Sequence, residues 1–224
     1  MARRLLVPRT RMDVVPRGRD PRVLGRRTPE RALRAREILG LASDDRLLLA
    51  VARQEYVKGL DVLLRAVSLV RADLPGIRLI VAGREGNHTA ALRALIGALG
   101  IGDAVTFLGH RSDVPELLCA ADLFVLPTRR EGFPGAVLEA MALEAPIVAT
   151  AIPAVSEAVE DGEHALLVPP EAPEALAAAI VAALETPEAC RRRALAALAR
   201  FHDHFTIDRA ADGMLRFYEA ALSS

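Results

Sequence analysis

From Arg46 onward, short apolar runs alternate with longer stretches in which apolar residues recur every three or four positions. The runs are Leu47 to Ala52, Ile77 to Ala82, Ala104 to Leu108, Leu123 to Leu126, Ile147 to Ala149 and Ala165 to Val168. Each is nearly continuous rather than alternating, which predicts parallel strands covered by helices on both faces. Between them, Leu60, Leu63, Leu64, Val67 and Val70 keep helical spacing, as do Leu92, Leu95, Ile96 and Leu99, and these predict crossover helices. Pro173 to Leu184 and the two stretches after Pro187 are alanine-rich and carry no strand signal, so the chain is expected to end in helices. The predicted fold class is α/β: a single doubly wound domain of about six parallel strands.

Composition fits a folded domain. The chain has 224 residues, 52% apolar and 26% charged, enough for a substantial core and unlike a disordered or collagenous chain. Two distant cysteines, Cys119 and Cys190, exclude a disulfide scaffold and point to a reducing, cytoplasmic setting. No apolar run approaches the roughly 20 residues that cross a bilayer. Arg3 and Arg4 precede Leu5 to Pro8, but Arg9 and Arg11 cut that stretch short of a secretory signal's apolar region.

Net charge is zero, yet the first 40 residues hold twelve arginines against Asp13, Asp20, Glu30 and Glu37. The chain therefore divides into an arginine-rich segment, 1–42, and a domain, 43–224. A basic segment can meet nucleic acid or an anionic membrane face. Nucleic acid is disfavoured, because the segment has no aromatic side chain to stack a base and is cut by Pro8, Pro16, Pro21 and Pro29. Peripheral contact with the inner membrane face stays open.

Ligands of doubly wound sheets bind beyond the carboxyl ends of the strands, where strand order reverses. After the first run, Ala52-Arg53-Gln54-Glu55-Tyr56-Val57-Lys58-Gly59 brings two cations to that end before a helix starts, which suits a diphosphate. A solvated turn is the plainer alternative. Among 29 basic side chains Lys58 is the single lysine, which marks a place where a guanidinium fork does not fit. After the fourth run comes Pro127-Thr128-Arg129-Arg130-Glu131-Gly132-Phe133-Pro134-Gly135, then an apolar helix starting near Pro134. Free N–H groups and about half a positive charge from the helix dipole suit an anion there. Glu131 precedes the helix, and Glu139 is expected two turns inside it, between Leu138 and Met141. A carboxylate among apolar neighbours needs a partner. An arginine and the paired hydroxyls of a ribose both satisfy it, and spacing leaves the choice open.

Two glutamates separated by seven residues around Gly-Phe-Pro-Gly resemble the donor-site motif of the group 1 glycosyltransferases of GT-B fold. Val51-Ala52-Arg53 with Lys58-Gly59, Ile80-Val81-Ala82-Gly83, Phe107-Leu108-Gly109, Ala121-Asp122-Leu123-Phe124-Val125-Leu126-Pro127 and Pro146-Ile147-Val148-Ala149-Thr150 agree. So does Glu157 through Asp161-Gly162 to Leu166-Leu167-Val168-Pro169, and residues 14–21 are similar to the family's linker into this domain. The resemblance implies a Rossmann-like half of a GT-B fold. It implies that Arg53 and Lys58 hold the diphosphate of a nucleoside diphosphate sugar and that Glu139 holds the ribose. Glu131 would face the transferred sugar as the catalytic candidate. Gly132, Phe133, Pro134 and Gly135 would form the loop beneath sugar and phosphates, and the base would lie near Gly109, His110 and Arg111. Arg17 departs from the asparagine usual before the linker glycine, and Ala154 and Ala165 replace common glycines.

A GT-B enzyme has two such domains, and Met1 to Ala42 is too short to be the second. The expected function is the donor-binding half of a sugar transferase, completed by an N-terminal domain, a partner chain or a second copy. The alternatives are a non-catalytic nucleotide-sugar-binding module and a fragment of a GT-B nucleotide-sugar epimerase. No cofactor or metal is expected. There is no Asp-x-Asp pair, and the His202-Asp203-His204 run lacks a third spaced ligand. His88 is expected to face solvent, and His164 has no assigned chemistry. Ile207, Met214, Leu215, Phe217, Tyr218 and Leu222 are expected to offer apolar surface to a partner.

Overall fold

The computed structural model describes residues 12 and 14–222. Leu5 to Pro8 and Arg3, Arg4, Arg9 and Arg11, on which the reading of the export signal rests, lie outside the described residues. Six strands form one parallel sheet: β1 (Arg46–Val51), β2 (Ile77–Ala82), β3 (Val105–Gly109), β4 (Leu123–Leu126), β5 (Ile147–Thr150) and β6 (Leu166–Val168). Their order is β3-β2-β1-β4-β5-β6, so strand order reverses between β1 and β4. The helices are α1 (Pro21–Leu24), α2 (Pro29–Ile38), α3 (Leu60–Asp73), α4 (Thr89–Leu99), α5 (Val114–Ala120) and α6 (Gly135–Ala142). They continue with α7 (Pro153–Ser156), α8 (Pro173–Glu185), α9 (Pro187–His204) and α10 (Ile207–Leu222).

The continuous apolar runs exist because successive strand residues face opposite sides and both sides are covered. On β1, Leu47 and Leu49 enter a core built with α5, α6 and Phe201 of α9, whereas Leu48 and Ala50 enter the other core with α3 and α8. Register is set accordingly, with Leu48 opposite both Leu79 of β2 and Leu123 of β4. Strand β3 departs from full burial, since Thr106 is exposed and its neighbours are half-buried. It is an edge strand, with a partner on one side only.

The arginine-rich segment is drawn onto the domain over its described part. Leu24 and Ala35 are buried in the α5–α6 core. Arg31 forms a two-pronged pair with Glu116, at 2.7 and 2.8 Å, and Arg36 reaches Asp122 at 3.0 Å. Helix α6 begins one residue later than the position of Pro134 suggests. Pro134 is its cap, so Glu139 is the fifth helical residue and stands about one turn inside, not two. Helix α10 has no buried residue.

Candidate functional site

Two clefts lie at opposite rims of the sheet. One of about 550 Å³ opens at the amino ends of the strands, beside Arg46, Arg27 and Arg191. The Arg27 guanidinium is already spent on the carbonyls of Glu144 and Ala121, and burial lowers its pKa. The other, of about 470 Å³, opens at the carboxyl ends of β1, β2 and β4, beside the reversal of strand order. Ligand chemistry belongs to that second rim in a doubly wound sheet.

The carboxyl-end cleft is lined by Arg53, Lys58, His110, Arg111, Glu131, Phe133, Pro134 and Gly135, together with Gly83, Arg84 and Ala136. Eight of the residues singled out in the sequence thus share one cavity. Gly132 and Gly109 do not line it but adjoin residues that do, and Glu139 stands one turn behind Gly135.

The loops after β1 and β4 are tied together before they present these groups. Gly59 has φ +66°, and a Cβ there would stand 1.9 Å from the Pro127 carbonyl oxygen, so only glycine allows the approach. Thr128 donates its hydroxyl to the Val57 carbonyl at 3.1 Å, and the Arg129 N–H donates to the same carbonyl at 2.9 Å. The Arg129 side chain clamps the pair of loops. Its guanidinium makes two 2.8 Å bonds to Asp61, a further 2.8 Å bond to Glu171 and lies 3.9 Å from the Tyr56 ring centre. Burial pushes the Asp61 carboxyl up, but the hydrogen bonds and charge of Arg129 outweigh it and hold the group below the usual carboxylate range. Hydrogen bonding to Asp61 raises the Arg129 pKa above its ordinary value.

This scaffold brings Lys58 to Glu131, with Nζ 2.6 Å from Oε1 and only 18% and 13% of the side chains exposed. Each group compensates the charge of the other. Arg53, 63% exposed, pairs with Glu55 at 2.7 Å. Above α6, the Ala136 N–H has no acceptor among the described residues, because the first turn has no side-chain cap. It is free to donate to an anion at the positive end of the helix. On the β3 side, Arg111 is held by Asp113 at 2.7 and 2.5 Å, while His110 is exposed at the rim.

Of the two partners that spacing leaves open for Glu139, the arginine is present in the structure: Glu139 Oε1 accepts from Arg19 Nε at 2.7 Å. Arg19, in the linker-like segment, and Arg84, after β2, escaped the sequence reading. Neither is marked by local spacing, and only the tertiary fold brings Arg19 within reach of a residue 120 positions away.

The histidines fall elsewhere. His202 and His204 are exposed in the last turn of α9, and His88 is half-buried with its ring edge-on to Tyr56, 5.4 Å between centres, rather than free in solvent. Among the described residues, Glu160, Glu163 and His164 form one group with ligand atoms within 4.8 Å of one another. His164 there accepts the Glu160 backbone N–H on Nδ1 at 3.2 Å, and both glutamates are exposed. Both cysteines are buried and free, and among the described residues no helix is long and apolar enough to cross a membrane.

Known proteins resemble this chain in sequence and in fold. The D-inositol 3-phosphate glycosyltransferase of Segniliparus rotundus is 34% identical over 217 residues, covering 95% of this chain and 47% of the relative. That of Geodermatophilus obscurus is 37% identical over 219 residues, covering 93% and 47%. The chain thus spans about half the length of these relatives. Anabaena HepE, solved with UDP and glucose, superposes with a TM-score of 0.86 at 26% identity, over 95% of this chain and 56% of that one. The C-terminal domain of a group 1 glycosyl transferase from Francisella tularensis shares the fold, with a TM-score of 0.75 at 20% identity over 85% of this chain and all of that domain. Residues 33–199 match the family described as glycosyl transferases group 1, and with the six-stranded sheet and the cleft between β1 and α6 this places the chain in the group 1 glycosyltransferase family.

Proposed function

We propose that this chain is the donor half of a sugar transferase, holding a nucleoside diphosphate sugar while a second domain or chain presents the acceptor. The observation that carries the reading is the convergence of Arg53, Lys58, Glu131 and the open first turn of α6 on one cleft at the strand reversal. A diphosphate there receives two side-chain cations and a helix N-terminus, which supports the departure of a nucleoside diphosphate without a divalent ion. Lys58 exchanges Glu131 for phosphate oxygens, and the released Glu131 faces the sugar. Glu139 turns to the ribose hydroxyls.

HepE was solved with UDP, which makes UDP-sugars the first donors to test here. The curated relatives carry D-inositol 3-phosphate in their names, which makes a phosphorylated polyol the first acceptor. A cytoplasmic site at the inner membrane face suits the basic residues of the segment 1–42. The transferase reading is favoured over a non-catalytic module or an epimerase because the matched relatives are glycosyltransferases.

The two glutamates give the test. Calorimetry on Glu139→Gln should show weaker binding of UDP itself, whereas Glu131→Gln should weaken UDP-sugar more than UDP. Unchanged affinity for both ligands in both variants refutes the assignment.

A further inference from the structure

Arg19 is fixed at its backbone, and its guanidinium also donates to the Gly18 carbonyl at 3.4 Å. Its N–H donates to the Phe205 carbonyl at 2.9 Å, and its carbonyl accepts from the Ile207 N–H at 2.8 Å, a one-residue bridge to the turn between α9 and α10. Gly18 makes that bridge possible, since a Cβ there would stand 2.3 Å from the Thr206 carbonyl oxygen. From this anchor the side chain crosses the first residue of α6. One guanidinium nitrogen lies 2.1 Å from where a Cβ of Gly135 would be, so the bare glycine is what leaves room for it. Nε then meets Glu139 Oε1 at 2.7 Å, with Arg19 33% and Glu139 21% exposed.

A cation over the first turn of a helix has the wrong sign for the helix dipole. Glu139 compensates it, but an anion over the same turn would be favoured by the dipole and by the guanidinium together. The carboxylate that restrains Arg19 is also the one assigned to the ribose. A ligand that takes Glu139 therefore strips Arg19 of its counter-ion, and only a ligand that also brings phosphate oxygens replaces it.

We propose that Arg19 is a further donor-binding residue that exchanges Glu139 for the diphosphate when a nucleoside diphosphate enters, and so makes the site reject the unphosphorylated nucleoside. The proposal rests on the donor-site reading above. Arg19 is then the third side-chain cation on the diphosphate, contributed by the linker-like segment rather than by the sheet. A nucleoside has to break the Arg19–Glu139 pair without offering a substitute, whereas a nucleoside diphosphate exchanges one ion pair for another.

The test uses the full chain, with UDP titrated by calorimetry and uridine measured by competition against UDP. Arg19→Met keeps the aliphatic stem and removes the charge. It should weaken UDP about tenfold or more and leave uridine unchanged or tighter, so the UDP-to-uridine preference collapses. Arg19→Lys should retain most of that preference, and thermal melts show whether both variants remain folded. A tighter or unchanged UDP affinity in Arg19→Met overturns the proposal, as does equal weakening of both ligands. If Arg19→Met does not fold, loss of the preference in Arg19→Lys overturns it equally. Failure of the wild-type chain to bind UDP, GDP or ADP refutes the donor-site reading itself, and this proposal with it.

Discussion

At the level of single residues, the cleft is lined by internal ion pairs, Lys58 with Glu131 and Arg53 with Glu55. Lys58→Ala leaves the mostly buried Glu131 carboxylate without its cation, and an unsatisfied group of that kind costs about 1–3 kcal/mol. We expect a lower denaturation midpoint for Lys58→Ala and little change for Arg53→Ala, whose side chain is exposed beside Glu55. Asp61 gives a pH signature. Its folded pKa lies below the ordinary 3.8, so its pairing with Arg129 contributes fully above that value and is lost as pH falls through the folded value. Urea unfolding of Asp61→Asn should accordingly show a stability deficit at pH 7 that shrinks below pH 4. A deficit that grows toward acid would contradict the sign.

At the scale of elements, the joint between the loops after β1 and β4 sets the geometry of the cleft. Gly59→Ala forces a Cβ into the Pro127 carbonyl in a backbone region costly for alanine, a penalty of roughly 1–3 kcal/mol. Urea denaturation should show that loss together with weakened nucleotide binding; wild-type behaviour in both would mean the loops do not depend on the close approach. Strands and crossover helices were legible in the sequence because both faces of the sheet are covered, so burial and apolar runs coincide, as at Ile77–Ala82. The cations after β1 and the glutamates flanking the loop after β4 were legible because ligands gather where strands end. Helix α6 starts at Gly135, next to the expected Pro134, because Pro134 serves as its cap rather than as part of the first turn. Arg19 stayed hidden because its role depends on a bridge to Thr206 and on the bare Cα of Gly135, neither of which is a local pattern.

Over the whole molecule, α10 keeps an apolar face exposed among the described residues. Ile207, Met214, Leu215, Phe217, Tyr218 and Leu222 are all exposed, although they fall on one side of the helix. A contiguous exposed apolar stripe is the kind of surface that marks an interaction site. Light scattering should find the chain self-associated at tens of micromolar, with Leu215→Glu shifting it toward monomer; a monomer in both cases would contradict this. The chain alone should transfer no sugar, since the acceptor side of the proposed reaction belongs to another domain. Whether the cleft between β1 and α6 holds a nucleoside diphosphate sugar through Lys58 is decided by calorimetric titration of wild type and Lys58→Ala with UDP-, GDP- and ADP-glucose. We expect saturable binding of at least one of them to the wild-type chain, weakened in a folded Lys58→Ala by about 1.5–3 kcal/mol, the range for hydrogen bonds to charged groups. Absence of binding to all three, or equal affinity in the two proteins, would contradict it.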